Sequence, residues 1–301
     1  MLLSIYLNDI LFRYIEKSSI DISKIFCEAR HTGLSRPLEG APAGLYPGAM
    51  RAWLTLFLLL ILPACRAEAP RACEAIRFED QPFTVCRFAA DDPGLTLFHT
   101  HPDGAPFADF DRLAGDVAAG GGELIFAMNA GMYHEDRRPV GLYVEDGAET
   151  AHLVTRAGPG NFGMLPNGVF WVDAGGSAHV TETLTYEAAA PQPRFATQSG
   201  PMLVVGGKLH PDFNADGTSR KRRNGVGLSA DGRTLWFAIS DAPVNFHTFA
   251  RLFRDRLDTP DALYLDGVVS RLYAPDLGRD EGGADMGPIV AIVRRPAQGE
   301  R

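Results

Sequence analysis

Five short segments combine glycine with a side chain that can do chemistry: Asn129–Tyr133, Gly158–Gly168, Gln198–Pro201, Arg223–Gly227 and Leu265–Arg271. Each adjoins an apolar run that reads as a strand, so each places an Asn, Ser, Arg or Asp at a strand end, where binding loops are usually built. A ligand can approach backbone closely where Cβ is absent. At any one position a turn that merely needs glycine explains the composition; five in one chain point to a shared site. Asp266 stands out, because a carboxylate in an otherwise apolar segment is costly unless it is used or paired. Its competing role is an aspartate bonding its own turn. Arg223 carries a planar fork that grips anionic oxygens in two bonds, or it belongs with Arg220, Lys221 and Arg222 to a solvated basic run. Asp241, ending the run Trp236–Ser240, is either a second carboxylate or a cap for the next turn. Ser199 is not set in the strained elbow of serine hydrolases and has no triad to support it. His134 could shuttle protons, although a lone histidine is more often structural or exposed. His247, near a helix start, reads as structural.

The elements that must hold these residues are mostly strands. Phe83–Phe88, Leu95–Phe98, Glu123–Met128, Val140–Val144, His152–Thr155, Gly168–Val172, His179–Thr183 and Met202–Val205 read as short strands. Val226–Leu228 and Thr234–Ile239 flank Ser229-Ala230-Asp231-Gly232-Arg233, a hairpin signal because Asp-Gly tolerates positive φ. Ala262–Leu265 delivers Asp266, and Ile289–Val293 closes the sheet. Two helices are expected. One is Pro106–Ala119, with Phe107, Phe110, Leu113 and Val117 at helical spacing. The other starts at the cap Asn245, places Phe246, Phe249, Leu252, Phe253 and Leu257 on one face, and ends at Pro260. Two helices are too few for a doubly wound parallel sheet. The expected class is α/β of the α+β type: a mixed, mostly antiparallel sheet with a few packed helices in a single domain.

The loop segments also carry a family resemblance. Asn129-Ala130-Gly131-Met132-Tyr133, with Pro139-Val140-Gly141-Leu142 after it, resembles the Asn-x-Gly…Gly opening of the phosphodiester glycosidase family. Ser199-Gly200-Pro201-Met202-Leu203 resembles that family's small-Gly-Pro-x-Leu segment, and Arg223-Asn224-Gly225-Val226-Gly227 its Arg-x-x-x-Gly segment. Leu265-Asp266-Gly267 followed by Ser270 resembles its Leu-Asp-Gly-Gly-x-Ser signature. No single motif is strong, but the set stands in the family's order. It covers residues 123–294, and extends back to residue 73 when bacterial periplasmic members are considered. Val268 departs from the signature, standing where the second Gly is expected, and Arg271 adds a cation beside it.

The resemblance implies hydrolysis of the bond between sugar C1 and a phosphodiester oxygen. A phosphate leaving group is a weak base, so it needs charge stabilisation and positioning more than a general acid. Arg223 is the first candidate for that role and Arg271 the second. Asp266 would stabilise the oxocarbenium, attack it, or act as base toward water, with Asp241 as the second carboxylate. Asn129 could bond a sugar hydroxyl, a phosphate oxygen or its own loop. Asp266, Arg223, Asn129 and Asp241 form the expected catalytic set. Gly131, His134, Gly141, Ser199, Gly200, Asn224, Gly267, Ser270 and Arg271 form the expected substrate-binding set. Retention and inversion stay open, since they depend on a carboxylate separation. A different class remains in play: a non-catalytic envelope module that binds polysaccharide or peptidoglycan, or serves exopolysaccharide biosynthesis, using Tyr133, Phe162, Trp171 and Tyr273.

No cofactor is expected. His99-x-His101 would face one way in a strand, but no carboxylate or Cys stands at a ligand spacing. Asp212-x-Asn214-x-Asp216-Gly217 resembles the first half of a calcium loop, but the closing Glu is absent. There is no Walker loop and no dinucleotide fingerprint. With 29 basic against 37 acidic side chains the chain carries −8, which argues against a nucleic-acid partner.

The N-terminal part reads as an address. Trp53–Leu62 is an apolar run too short to span a membrane, preceded by Met50-Arg51 and followed by Pro63-Ala64-Cys65. Met50 is the expected start, with residues 1–49 an upstream extension; the alternative is a cytoplasmic tail before an uncleaved anchor. Leu62-Pro63-Ala64-Cys65 resembles a lipobox that would lipidate Cys65 and attach the protein to a membrane, while Ala67-Glu68-Ala69 offers a cleavage site for a soluble product. Either way the domain, residues 73–298, is expected outside the cytoplasm, in the periplasm. Cys73 and Cys86 are then an even pair in an oxidising compartment, and a disulfide between them is expected. The oligomeric state is not legible.

Overall fold

Leu235, Phe237 and Ile239 alternate with Trp236 and Ala238, so the strand that carries them must bury both faces. In the computed structural model, which describes residues 71–266 and 269–296, it does so at the centre of the fold. The elements run β1 (Cys73–Phe78), β2 (Gln81–Ala89), β3 (Leu95–Phe98), α1 (Phe110–Ala119), β4 (Glu123–Asn129), β5 (Tyr143–Glu145) and β6 (Ala148–Ala151). They continue with β7 (Gly168–Asp173), β8 (Ala178–Glu182), α2 (Thr183–Ala189), β9 (Pro193–Ser199), β10 (Met202–Val205), β11 (Lys208–Leu209), β12 (Asn224–Leu228) and β13 (Thr234–Ser240). Last come α3 (Phe246–Arg251), β14 (Asp261–Tyr264), β15 (Leu272–Ala274), β16 (Arg279–Asp280) and β17 (Ile289–Arg294).

These strands form three antiparallel sheets. One has the order β1-β2-β13-β12-β14-β10-β11, the second β16-β15-β4-β17-β3, and the third β6-β5-β9-β7-β8. They meet around four phenylalanines. Phe88 and Phe237 come from the first sheet, Phe126 from the second and Phe170 from the third. Ring centroids lie 5.1 Å (Phe88–Phe126), 4.9 Å (Phe126–Phe237) and 6.0 Å (Phe170–Phe237) apart. Such pairs contribute about 0.5–1.5 kcal/mol each beyond their area burial. The α+β class is therefore as expected.

Each long sheet covers its other face with a helix. Phe249, Ala250 and Phe253 pack on Leu203, Val204 and Ala262 of the first sheet. Phe110, Leu113 and Val117 pack on Leu124, Ala127 and Ala291 of the second. Gly225 and Gly227 permit the first contact. A Cβ at Gly225 would stand 3.3 Å from the Phe249 ring, and one at Gly227 2.8 Å from the Phe253 ring. The glycines of this segment thus admit a helix to the sheet, where the sequence suggested a ligand.

Several boundaries differ from expectation. The first helix starts at Phe110, not Pro106, because Ala108 sits at φ 65° and Asp109 is an extended cap whose carboxylate accepts the Arg112 amide at 2.7 Å. The second helix is capped by Asn245 as expected, but from Leu252 to Arg256 it continues as a π-helix. His152–Thr155 is not a strand; the strand there is Ala148–Ala151. Strand β1 went unseen because it is an edge strand with little apolar alternation, and α2 because it spans only two turns.

Cys73 and Cys86 are direct partners across β1 and β2 and form a disulfide, with Cα atoms 4.0 Å apart. The bridge closes a sequence separation of 13, for which the chain-entropy model gives about 3 kcal/mol. The double change Cys73→Ser, Cys86→Ser is expected to lower Tm by roughly 6–12 °C. An unchanged thermal melt under non-reducing conditions would show that strand pairing alone holds this edge. Residues 1–70, with the export signal, Cys65 and the Ala67-Glu68-Ala69 site, and residues 297–298 of the expected domain lie outside the described residues, as does Val268. No helix among the described residues is long and apolar enough to cross a membrane.

Candidate active site

Two asparagines from different sheets grip the chain at Asp266 and at Arg271. Asn129 ends β4 and Asn224 begins β12; both side chains are fully buried. Asn129 Oδ1 accepts the Arg271 amide at 2.7 Å, which leaves its Nδ2 to donate to Asp266 Oδ2 at 3.3 Å. Asn224 Oδ1 accepts the Asp266 amide at 2.9 Å, and its Nδ2 donates to the Asn129 carbonyl at 2.9 Å. Each amide thus has its orientation fixed by an N–H on one side and an acceptor on the other. Ser270 Oγ donates to the Asp266 carbonyl at 2.7 Å, and Ser199 Oγ donates to the Leu265 carbonyl at 2.7 Å. The peptide group that precedes Asp266 is held from both of its ends by side chains 42 and 66 residues away in sequence, and the carbonyl that follows by Ser270, four residues on.

Asp266 is 7% exposed and forms part of the wall of a cleft of about 860 Å³. Tyr133, on the same cleft, has its phenol pushed well above the usual range, chiefly by burial and further by the nearby Asp266 carboxylate, while its hydroxyl points to the Asp285 carbonyl at 3.4 Å. The phenol therefore stays protonated and donates. Gly287 lets Tyr133 pack there: a Cβ on it would stand 2.4 Å from the ring.

The rest of the cleft comes from two loops. One is the hairpin after β4, contributing His134, Glu135 and Arg137; the other runs from Val154 through Arg156 to Gly163. Gln198, buried at the end of β9, ties them together. Its Oε1 accepts from the amides of Leu142 (3.1 Å) and Val154 (3.0 Å), and its Nε2 donates to the Val154 carbonyl (2.7 Å). A Cβ at Gly131 or at Gly141 would stand 2.3 Å from the nearest side-chain oxygen, that of Thr197 or of Gln198. At Gly200 it would stand 2.6 Å from Asn167 Cβ. At these three glycines the space left by the missing side chain is filled by protein.

The expected residues thus divide. Asn129, Asn224, Asp266, Ser270 and Ser199 converge, and His134 lies exposed on the cleft. Arg223 does not line the cleft. It is fully buried on the helix side of the sheet, where Nε donates to the Val244 carbonyl and Nη2 to the Ser219 carbonyl, both at 2.9 Å. Its guanidinium carbon lies 3.5 Å from the Phe246 ring centroid, and burial lowers its pKa. Gripping a phosphate in the cleft is not open to it in this arrangement. Arg271 is likewise turned inward, donating to the carbonyls of Glu281 (2.6 Å) and Ala284 (3.0 Å). Asp241 is absent from the cleft and accepts from Thr84 Oγ1 (2.9 Å) and Arg279 Nη1 (2.8 Å). Gly267 lies outside the described residues. Of the aromatics, Tyr133 and Phe162 line the cleft, whereas Trp171 stacks on His179 at 4.2 Å and Tyr273 packs near Phe110.

The cations of the cleft are Arg137 and Arg156, and Glu135 adds a second carboxylate. Sequence reasoning passed over all three. Arg137 stands in the turn between Asn129–Tyr133 and Pro139–Leu142, and Arg156 stands two residues before the glycine-rich segment Gly158–Gly168.

The loop carrying Asp212, Asn214 and Asp216 is organised by the protein itself. Asn214 Oδ1 accepts the Asp216 amide at 2.9 Å, and Asn245 Nδ2 donates to the Ala215 carbonyl at 2.8 Å. Among the described residues no group of three or more His, Cys, Asp or Glu is placed to hold a metal ion.

Comparison with known proteins agrees with this architecture. The family profile described as phosphodiester glycosidase matches residues 122–291. The uncharacterized protein YigE of Escherichia coli (strain K12) is 32% identical over 220 residues, covering 72% of this chain and 84% of that protein. The zebrafish N-acetylglucosamine-1-phosphodiester alpha-N-acetylglucosaminidase catalytic domain, auto-inhibited by its pro-peptide, shares the fold. It superposes with a TM-score of 0.52 at 12% identity, over 75% of this chain and 84% of that one. With more than half its length matched by the profile, and its motifs in family order, the chain belongs to the phosphodiester glycosidase family, a membership that points to a glycosidase-type function.

Proposed function

We propose that the protein is a hydrolase that cleaves the bond between sugar C1 and a phosphodiester oxygen in a glycosyl-1-phosphodiester of the bacterial cell envelope. The observation that carries this reading is Asp266: a nearly buried carboxylate facing a cleft, held by Asn129, with Tyr133, Arg137 and Arg156 on the same cleft. The carboxylate stabilises positive charge developing at the sugar carbon, directly or after attack. The arginines offset the charge that gathers on the departing phosphate. Tyr133 and Phe162 offer aromatic faces to a sugar ring. An exported location, soluble or lipid-anchored through Cys65, suits the Cys73–Cys86 disulfide, since such bonds persist in oxidising compartments.

The test is sugar release from N-acetylglucosamine-1-phosphodiester and a panel of other glycosyl-1-phosphodiesters by the protein expressed from its full chain. Turnover of at least one is expected. Saturable binding of envelope glycans without release would favour a binding module, and inertness toward the whole panel would remove the substrate class.

A further inference from the structure

We propose that His99 is a positioning residue for the cleft: it fixes the backbone of Arg137 and so holds that guanidinium where a phosphodiester anion would bind. The inference rests on the reading of the cleft given above. It begins with strain. Arg137 has φ 71°, in the left-handed region that a non-glycine residue enters only at a cost of about 1–2 kcal/mol. Its own turn supplies local bonds. The Arg137 amide donates to the His134 carbonyl at 2.8 Å, the His134 amide donates to the Arg138 carbonyl at 2.8 Å, and Tyr133 bridges to Pro139. Such a tip could still tilt as a unit. It is tied down by a side chain 38 residues earlier: His99 Nε2 donates to the Arg137 carbonyl at 2.8 Å.

His99 is suited to this task. It directly follows β3 and is 9% exposed. A carbonyl only accepts, so Nε2 carries the proton, and the Thr100 hydroxyl, 3.0 Å from Nδ1, donates to the other nitrogen. The ring lies edge-on to Tyr143, with centroids 5.5 Å apart. Glu145 Oε2 accepts both the His99 amide (3.2 Å) and the Tyr143 hydroxyl (2.8 Å), anchoring the imidazole to β5. The chain of contacts runs from β5 through a buried imidazole to the Arg137 carbonyl. It ends with the Arg137 guanidinium 5.7 Å from the Tyr133 ring centroid, next to Asp266.

The experiment compares His99→Ala, His99→Gln, Arg137→Ala and the double change His99→Ala, Arg137→Ala. Readouts are KM and kcat on a glycosyl-1-phosphodiester, the Kd of inorganic phosphate, and hydrogen exchange of the amides of residues 134–138. His99→Ala is expected to raise KM and the phosphate Kd about tenfold, the worth of one buried hydrogen bond, with kcat within threefold and faster exchange at the tip. His99→Gln, whose amide can still donate, is expected to recover most of the affinity. In the Arg137→Ala background, loss of His99 is expected to add nothing. Full additivity there, or a fall in kcat with KM unchanged, would overturn the proposal. Wild-type protein without affinity for phosphate would refute the reading of the cleft instead. Intact phosphate affinity indifferent to both His99 variants would refute the positioning role alone.

Discussion

Asp266→Asn is expected to lower kcat/KM for sugar release by about 10²–10⁴-fold while leaving the protein folded. Asparagine has the size and shape of aspartate and keeps one side-chain oxygen, so Asn129 Nδ2 retains an acceptor. The Asp266 amide keeps its bond to Asn224, because that bond uses backbone on the Asp266 side. What disappears is the negative charge, the one property that stabilises an oxocarbenium or lets the group attack carbon. A second readout is independent of turnover. The Asp266 charge is among the causes that raise the Tyr133 phenol, so the substitution should bring the Tyr133 titration down, visible in the ultraviolet absorbance of the phenolate. Tm should move by only a few degrees. Activity within threefold of wild type in a normally folded variant would end the assignment of Asp266 as the reacting carboxylate.

Arg223→Ala should do the opposite: leave the chemistry largely alone and damage the fold. The substitution removes two charge-assisted bonds to the carbonyls of Val244 and Ser219 and a close stack on Phe246. Charged hydrogen bonds contribute about 1.5–3 kcal/mol each and a desolvated cation–π contact about 2 kcal/mol, and these are not additive. A loss of roughly 3–5 kcal/mol is expected, seen as a fall in Tm of about 10 °C or more. Arg223→Lys should not rescue it, since an ammonium cannot serve two carbonyls and stack flat on a ring at once. Below its melting range the Arg223→Ala variant should keep any kcat of the wild type within a few-fold. An unchanged Tm with abolished turnover would instead put Arg223 in contact with substrate.

The contrast between these two residues shows how far the sequence could be read. Both stood in ordered family motifs, and both were costly charges beside apolar strands. For Asp266 the motif position and the cleft coincide. For Arg223 the neighbours that matter are Phe246 and Val244, about twenty residues on, and a linear reading does not reveal that a helix there folds back over the strand. The class of fold was legible because strand alternation and a capped helix are local patterns: Asn245 caps where expected and β13 alternates where expected. The division into three sheets was not, since it depends on pairings such as β13 with β2. Arg137 and Arg156 lacked any local mark. They become candidates only once Gln198 is seen to bring their two loops to one cleft. The motif glycines were noticed for the right reason, close approach, but what approaches Gly131, Gly141 and Gly200 is the protein itself.

The paired asparagines have a consequence for the order of folding. Asn129 reaches Asp266 across 137 residues and Arg271 across 142, while Asn224 reaches Asn129 across 95. Contacts so distant in sequence require the largest loop closures and slow the search for the native state. Strand pairs such as β12 with β13 can form early from neighbouring residues, but Asp266 gains its bonds to Asn129 and Asn224 only when strands from two sheets have come together. The proposed site around Asp266 is therefore expected to be among the last parts of the molecule to mature, and in a refolding chain sheet content should return before the proposed activity does.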